Sequence, residues 1–237
     1  MGKIFVILHN IFSNLLIQNI SLMKKLDLLL AEKLLKISAI KLQPDNPFTW
    51  ASGWNSPIYT DNRKTLSYPE LRNFIKVELS RLILENFGDA EVVAGVATGA
   101  IAQGALVADT LGLPFVYIRS TPKDHGLENL IEGNIKPGQK VVIVEDLVST
   151  GKSSLKAAQA VVDAGGEVVG MVAIFTYEFP IATKAFEKAG VKLLTISNYS
   201  SMIKAAIATN YIKESDEKAL QKWREDPAHW TPDLDFE

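Results

Sequence analysis

The sequence contains no cysteine among its 237 residues. The chain can therefore form no disulfide, offers no thiolate to a metal ion and has no cysteine nucleophile, which is compatible with a reducing, cytoplasmic location. Its charges almost cancel, with 25 lysine and arginine residues against 27 acidic ones. Such a chain has no overall positive field to attract nucleic acid, so we expect no nucleic-acid partner, and any anion site must be local.

The sequence also lacks an uninterrupted hydrophobic run long enough to span a membrane. Residues 1–22 are largely apolar, but histidine, asparagine and glutamine side chains interrupt them, and no small-residue cleavage pattern follows. We therefore expect no membrane insertion and predict that residues 1–22 form an N-terminal extension outside the fold. The alternatives are an extra helix docked on the fold and a targeting segment.

The rest of the chain has the size and composition of one large globular domain, since 47% of the residues are hydrophobic. Residues 24–38 carry leucines at helical spacing. Residues 42–64 are rich in proline, asparagine and aromatics, which is typical of a cap made of loops and short extended pieces. We predict a main domain at residues 23–215, with a hood mainly at 23–65, and a C-terminal helix and tail at 216–237.

Short aliphatic segments that follow residue 90 predict buried β-strands. They read EVVAGVA, PFVYIR, KVVIVED, EVVGMVAIF and VKLLTIS. Segments with apolar residues at helical spacing lie between most of them. Strands that are hydrophobic on both faces and alternate with helices are typical of an α/β fold. We predict a central, mostly parallel sheet with helices on both faces.

One segment, VVIVEDLVSTGKSS at residues 141–154, combines two carboxylates with a turn suited to phosphate. In open α/β sheets, ligands bind beyond the carboxyl ends of the strands, which is where Glu145 and Asp146 are predicted to lie. The turn that follows opens a helix, whose unpaired N–H groups and positive dipole end attract phosphate. Ser149, Thr150 and Ser153 add hydroxyl groups to this turn. The segment therefore predicts a phosphate site beside two acids.

The carboxylates indicate which kind of phosphate compound binds. A nucleoside-triphosphate loop of the form G-x-x-x-x-G-K would need glycine at position 146, where the chain has Asp146. Paired acids instead suit the hydroxyl groups of a ribose and can stabilise positive charge on a sugar ring. The predicted ligand is a ribose with a 5-phosphate on the turn. The alternative is an acidic strand end that only caps a helix.

The same segment resembles the ribose-phosphate signature of the type I phosphoribosyltransferases. Two further segments, YIRSTPKDHG and PFTWASGWNSPIYTDNR, are similar to those of the orotate phosphoribosyltransferases within that family. The resemblance implies the type I phosphoribosyltransferase fold, with a small N-terminal hood and a mobile lid at residues 119–133. It implies Mg²⁺-dependent transfer of phosphoribosyl from phosphoribosyl pyrophosphate to N1 of orotate. The products would be orotidine 5′-monophosphate and pyrophosphate, in de novo pyrimidine biosynthesis.

The resemblance also implies roles for individual residues. Lys123 would stabilise the departing pyrophosphate with support from His125, and Asp146 would complete the catalytic set. Ser149 and Tyr59 would contact orotate. The residues implied to bind phosphoribosyl pyrophosphate are Arg119, Lys123, His125, Glu145, Asp146, Leu147, Val148, Ser149, Thr150, Gly151, Lys152 and Ser153.

Three further expectations come from the resemblance. A pyrophosphate loop would consist of Ala97, Thr98 and Gly99, with a cis peptide bond between the first two. Mg²⁺ would be held mainly through substrate and water, so no residue is assigned as a metal ligand. The protein would be a homodimer whose lid reaches the neighbouring active site.

The sequence departs from many members of that family at three positions. Ala51 and Ser120 stand where many relatives have lysine, and Tyr177 stands where they have arginine. We interpret this as a difference between branches, and it leaves the partner of the orotate carboxylate open. The alternative functions are a phosphoribosyltransferase for another base and a non-enzymatic regulator that senses phosphoribosyl pyrophosphate.

Overall fold

The computed structural model describes residues 25–50, 52–121 and 130–231. The predicted extension at residues 1–22 lies outside the described residues. The described part begins with helix α1, residues 25–36, which continues into a hood of four short strands. These form two antiparallel pairs, β1 with β4 and, between them in the chain, β2 with β3. The hood strands are β1 (Ile40–Leu42), β2 (Phe48–Thr49), β3 (Asn55–Ser56) and β4 (Ile58–Thr60).

The centre of the fold is a six-stranded sheet in the order β10-β9-β8-β5-β6-β7. All neighbouring pairs are parallel except β6 and β7, so the prediction of a mostly parallel sheet is confirmed. Every residue of β5 is buried, as expected for a strand covered on both faces. The strands are β5 (Val92–Val96), β6 (Phe115–Ile118), β7 (Ile131–Glu132), β8 (Lys140–Val148), β9 (Glu167–Thr176) and β10 (Leu193–Asn198).

Helices flank this sheet, and local residue chemistry sets several of their ends. Pro69 opens α2, where its missing N–H costs nothing. Gly112 and Gly190 end α3 and α5 in the left-handed conformation, which glycine adopts without strain. None of the helices in the described ranges is long and apolar enough to cross a membrane. The helices are α2 (Pro69–Asn86), α3 (Ile101–Leu111), α4 (Lys152–Asp163), α5 (Pro180–Ala189), α6 (Tyr199–Ala208) and α7 (Glu217–Glu225).

The C-terminal helix packs into the same core as the hood. Trp223 on α7 is 0% exposed, and its indole Nε1 donates to the carbonyl of Asn55 at 3.2 Å. Its ring meets the ring of Trp50 edge-on, with centroids 5.6 Å apart, and contacts Tyr177 in the same manner at 5.8 Å. Buried aromatic pairs with a satisfied indole N–H stabilise a fold strongly. Helix α7 therefore fastens the hood to the end of the sheet.

Candidate active site

Glu145 and Asp146 lie near the carboxyl end of β8, between neighbours β5 and β9. Glu145 is only 5% exposed, and its carboxyl group accepts hydrogen bonds from Ser154 Oγ at 2.9 Å and from the backbone N–H of Asp146 at 3.0 Å. Burial, together with the neighbouring charge of Asp146, raises the pKa of Glu145 to about 8. Glu145 therefore stays protonated at pH values at which a glutamate side chain is ordinarily ionised.

Asp146 lies against the predicted pyrophosphate loop. The peptide bond between Ala97 and Thr98 is cis, as the sequence resemblance implied. A methyl group added at Gly99 would collide with the carboxylate of Asp146, so the loop backbone and this side chain are in close contact. On its other side, the backbone carbonyl of Asp146 accepts a hydrogen bond from Asn62 Nδ2 at 2.7 Å. The structure thus brings the loop and the acid together.

The predicted phosphate turn follows β8 directly. Val148 ends the strand, and Gly151 adopts φ 80° immediately before α4. A side chain at Gly151 would also lie 3.0 Å from the ring of Phe186, so both conformation and space require glycine. The N–H of Leu155 donates to the carbonyl of Gly151. The N–H groups of the residues before Leu155, in the first turn of α4, therefore have no acceptor inside the helix. Such a helix start can bind phosphate through its backbone.

A cavity of about 330 Å³ adjoins this turn on the hood side. Its volume and partly aromatic wall suit a small planar base. Tyr59 and Ser149, the two residues predicted to contact the base, both line it. The remaining lining residues are Thr49, Trp50, Thr60, Leu147 and Tyr177.

An aromatic side chain, Tyr177, lines this cavity at a position where the resemblance led us to expect arginine in many members of the family. Tyr177 is buried and stacks on Trp50, with centroids 5.3 Å apart. Burial raises the pKa of Tyr177 above its ordinary value, so its hydroxyl stays neutral at physiological pH. Position 177 therefore contributes an uncharged, largely buried aromatic side chain to the cavity wall. The position of Ala51 lies outside the described residues.

The root of the predicted lid is a strand pair. Arg119 follows β6; its backbone N–H donates to the carbonyl of Leu130 at 2.7 Å, and its Nη1 donates to Glu132 Oε1 at 3.3 Å. The resemblance implied a mobile lid at residues 119–133, yet the end of this segment forms the short strand β7, in which Ile131 is buried beside β6. Lys123 and His125 lie outside the described residues.

Two residues that hold the site together were not predicted from the sequence. Asn62 joins the hood to β8, and Trp223 joins α7 to the hood. The only signal for Asn62 was its place in the segment SPIYTDNR, and Trp223 stood out only as an apolar residue of a polar helix.

Lys152 begins α4 with an exposed side chain beside the phosphate turn.

Comparison with known proteins gives concordant results. The model of the phosphoribosyl transferase domain matches residues 75–211. The chain is 67% identical to the orotate phosphoribosyltransferase of Bacteroides thetaiotaomicron over 208 residues, which cover 88% of this chain and 98% of the relative.

Solved structures give the same picture. The orotate phosphoribosyltransferase of Aeropyrum pernix has a TM-score of 0.66 at 25% identity, covering 77% of this chain and 99% of that one. The Mycobacterium tuberculosis orotate phosphoribosyltransferase in complex with 5-phospho-α-D-ribosyl 1-diphosphate has a TM-score of 0.57 at 27% identity, covering 74% of this chain and 98% of that one.

Proposed function

The chain belongs to the orotate phosphoribosyltransferases of the phosphoribosyl transferase domain family, and from this premise we propose how its site carries out the reaction. The enzyme transfers phosphoribosyl from phosphoribosyl pyrophosphate to orotate, a step of pyrimidine biosynthesis. One observation carries the assignment of the site: a strand-end pair of acids, a phosphate turn and a pocket of the size of a base all occur at the end of β8. A ribose 5-phosphate that bears a base at C1 needs these three parts close together.

The sugar phosphate binds along the end of β8. Its 5-phosphate accepts hydrogen bonds from the backbone N–H groups of the turn that precedes α4 and from the hydroxyls of Ser149, Thr150 and Ser153. Glu145 and Asp146 face the ribose hydroxyls, and Asp146 stabilises the positive charge that develops on the sugar ring. Support for this placement comes from the contact between Asp146 and the loop that is proposed to hold pyrophosphate.

Orotate binds in the hood cavity, between the ring of Tyr59 and the turn at Ser149. In the reaction, the bond from C1 of the ribose to the pyrophosphate oxygen breaks, and a bond from orotate N1 to C1 forms on the opposite face. Pyrophosphate leaves with the bonding electron pair, and orotate gives up its N1 proton to solvent before attack. We propose that Lys123 and Arg119 neutralise the leaving group, with His125 in support.

Mg²⁺ fits this site as a companion of the substrate. No group of three or more histidine, cysteine, aspartate or glutamate side chains that could hold a metal occurs within residues 25–50, 52–121 and 130–231. Mg²⁺ commonly keeps several waters and uses one or two carboxylates with substrate phosphates, and Asp146 beside the pyrophosphate loop suits that mode. When bound, the ion would neutralise charge on pyrophosphate as it departs.

We further propose that the enzyme works as a cytoplasmic homodimer whose lid covers the neighbouring site. The chain's lack of cysteine suits a reducing compartment. If the lid acts in the partner's site, Lys123→Ala and Asp146→Asn chains, each inactive alone, will recover partial activity when mixed and allowed to exchange subunits. If subunit exchange is verified and the mixture is still as inactive as each variant alone, the proposed arrangement is wrong.

The function is tested by a direct assay. Purified protein with phosphoribosyl pyrophosphate and Mg²⁺ is offered orotate, adenine, uracil or xanthine, and the ultraviolet absorbance of each base is followed. We expect turnover of orotate alone and its loss when EDTA removes the metal. Turnover of another base instead would retain the sugar chemistry but overturn the base assignment, whereas binding of phosphoribosyl pyrophosphate without turnover would favour a sensor.

A further inference from the structure

A buried amide from the hood contacts the strand that carries the two acids. Asn62 is the first residue of the short 3-10 helix Asn62–Ser67, directly after the hood strand β4. It is 2% exposed, and its Nδ2 donates to the backbone carbonyl of Asp146 at 2.7 Å. These two residues lie 84 positions apart in the chain. Asn62 therefore makes a long-range bond at the centre of the proposed site.

This bond lies where β8 has lost one of its two neighbouring strands. The register between β5 and β8 stops at Gly95 and Val144, and β5 then leads into the loop at residues 97–99, whereas β8 stays paired with β9 as far as Val148. Asp146 lies two positions beyond the last residue that pairs with β5. Asn62 thus supplies a donor to β8 at a point where the neighbouring strand has turned away.

The turn that carries Asn62 is itself held by short hydrogen bonds. The fully buried Thr65 donates from Oγ1 to the carbonyl of Asn62 at 2.6 Å. The backbone N–H of Asp61 donates to the carbonyl of Ala39 at 2.7 Å, which links the turn to the start of β1. The amide is therefore anchored on both sides by the hood and has little freedom to follow a displaced β8.

The other end of the Asn62 amide indicates why asparagine is present. Its Oδ1 is buried and has no hydrogen-bond partner among the described residues. If the Asn62 amide were rotated by 180°, its Oδ1 would face the carbonyl oxygen of Asp146, and two acceptors would be in contact. The Asp146 carbonyl therefore requires Nδ2 on this side of the amide. A buried acceptor without a partner is costly to the fold. The benefit of asparagine here therefore comes from the donor that it offers to Asp146.

Asp146 is thus restrained from two directions. Its carboxylate lies close to Gly99 of the pyrophosphate loop, and its backbone carbonyl accepts the hydrogen bond from Asn62. We propose that Asn62 is a positioning residue, which fixes the carboxylate of Asp146 relative to the loop through the hydrogen bond from Nδ2. The inference rests on the role proposed above for Asp146. Because the cavity residues Tyr59 and Thr60 lie three and two positions before Asn62, the bond also connects the proposed base pocket to the acid that faces the sugar.

Two substitutions at position 62 test the inference. Asn62→Asp keeps the shape of the side chain but turns the donor into an acceptor, and Asn62→Leu removes both polar atoms. We expect each to lower kcat at least about tenfold, since small displacements of reacting groups cost rate steeply. The melting temperature of Asn62→Leu should stay within about 3 °C of the unmodified protein, because losing the unpaired Oδ1 offsets losing the bond.

The control is Asn86→Leu, the same substitution at an exposed position, where Asn86 Nδ2 donates to the carbonyl of Leu82 at 3.0 Å and Oδ1 accepts from Lys192 Nζ at 2.9 Å. Asn86 ends α2 near the opposite end of the sheet, so kcat should be unchanged. If Asn62→Leu does not fold, the isosteric Asn62→Asp decides the question. Unchanged kcat in the position-62 variants, or a loss no larger than the loss of folded protein, would overturn the inference.

Asp146→Asn, assayed in parallel, separates this inference from the assignment on which it rests. If Asp146→Asn lowers kcat and the position-62 variants do not, the positioning role is wrong and the proposed chemistry stands. If Asp146→Asn retains the full rate, the role of Asp146 is wrong and the inference falls with it. If all of them lower kcat while orotate remains the base that is used, both are supported.

Discussion

Ser154 Oγ donates to Oε2 of Glu145 at 2.9 Å, in a part of the protein that solvent scarcely reaches. The hydroxyl comes from the first turn of α4, and the carboxyl group comes from β8. The phosphate helix and the acid strand are therefore joined by a buried hydrogen bond. Burial still dominates, so the pKa of Glu145 is raised to about 8 despite this bond.

The raised pKa makes stability depend on pH. The folded protein holds the Glu145 proton up to about pH 8, whereas an unfolded chain releases it near pH 4.5. The native state thus binds more protons between these values, and the free energy of unfolding contributed by this group falls as pH rises through that window. Glu145→Gln removes this titration. The free energy of unfolding of the variant minus that of the unmodified protein should therefore be more favourable at pH 8.5 than at pH 5, by about 1 kcal/mol or more. Denaturant unfolding at both pH values measures this, and an identical difference at both would contradict it.

Gly151→Ala should impair both stability and substrate binding. An alanine at φ 80° is strained by about 1 kcal/mol, and its methyl group would press on the ring of Phe186. The displaced turn should raise KM for phosphoribosyl pyrophosphate by about tenfold. Gly112→Ala is the matched control, because Gly112 has φ 66° but open space around it. That control should share the strain and leave KM unchanged, and equal kinetic effects in both variants would contradict the role of the turn.

Tyr59→Ala should weaken binding of the base without affecting the sugar phosphate. The Tyr59 ring lines the hood cavity and is 41% exposed in the absence of substrate. An aromatic face that stacks on a base contributes about 1–3 kcal/mol, so KM for orotate should rise about tenfold or more. Initial-rate kinetics with each substrate varied in turn measure the effect. Tyr68, 45% exposed and absent from the cavity wall, is the control, and a rise of KM for orotate in Tyr68→Ala would argue against a local effect.

Trp223→Ala should destabilise the whole domain. Trp223 is fully buried among the rings of Trp50, Tyr177, Phe179 and Tyr199. Removing a buried tryptophan costs about 3–5 kcal/mol, which denaturant unfolding would register directly. Trp223→Phe retains a ring but loses the bond to the Asn55 carbonyl, so its loss should be smaller. A small effect of Trp223→Ala would mean that α7 is dispensable to the core.

The central sheet and the phosphate turn were predictable because their signals are local. Continuous aliphatic runs identify β5, β8 and β9 without knowledge of their neighbours, and Gly151 marks a turn by its own conformational needs. The cavity residues Tyr59 and Ser149 came from the resemblance to a family, since nothing in the spacing of two residues 90 positions apart indicates that they meet.

The links between segments could not be predicted in this way. Asn62 and Asp146, or Trp223 and Asn55, are brought together only by the complete fold, and a single polar or aromatic residue carries no mark of its distant partner. Strand β7 escaped prediction for a related reason. Two residues are too few to show a period, and Ile131 is buried only because β6 lies beside it.

The cavity wall has a consequence for redesign. Its residues come from three separate stretches, namely the hood, the end of β8 and Tyr177 after β9. The proposed sugar-phosphate groups come from the end of β8 and the turn into α4. The hood could therefore be exchanged to change the accepted base, provided that Asn62 and its bond to the carbonyl of Asp146 are retained. Trp223 on α7 packs against the hood and donates to the carbonyl of Asn55, 168 positions earlier in the chain. A transplanted hood would therefore need a C-terminal helix whose side chains match it.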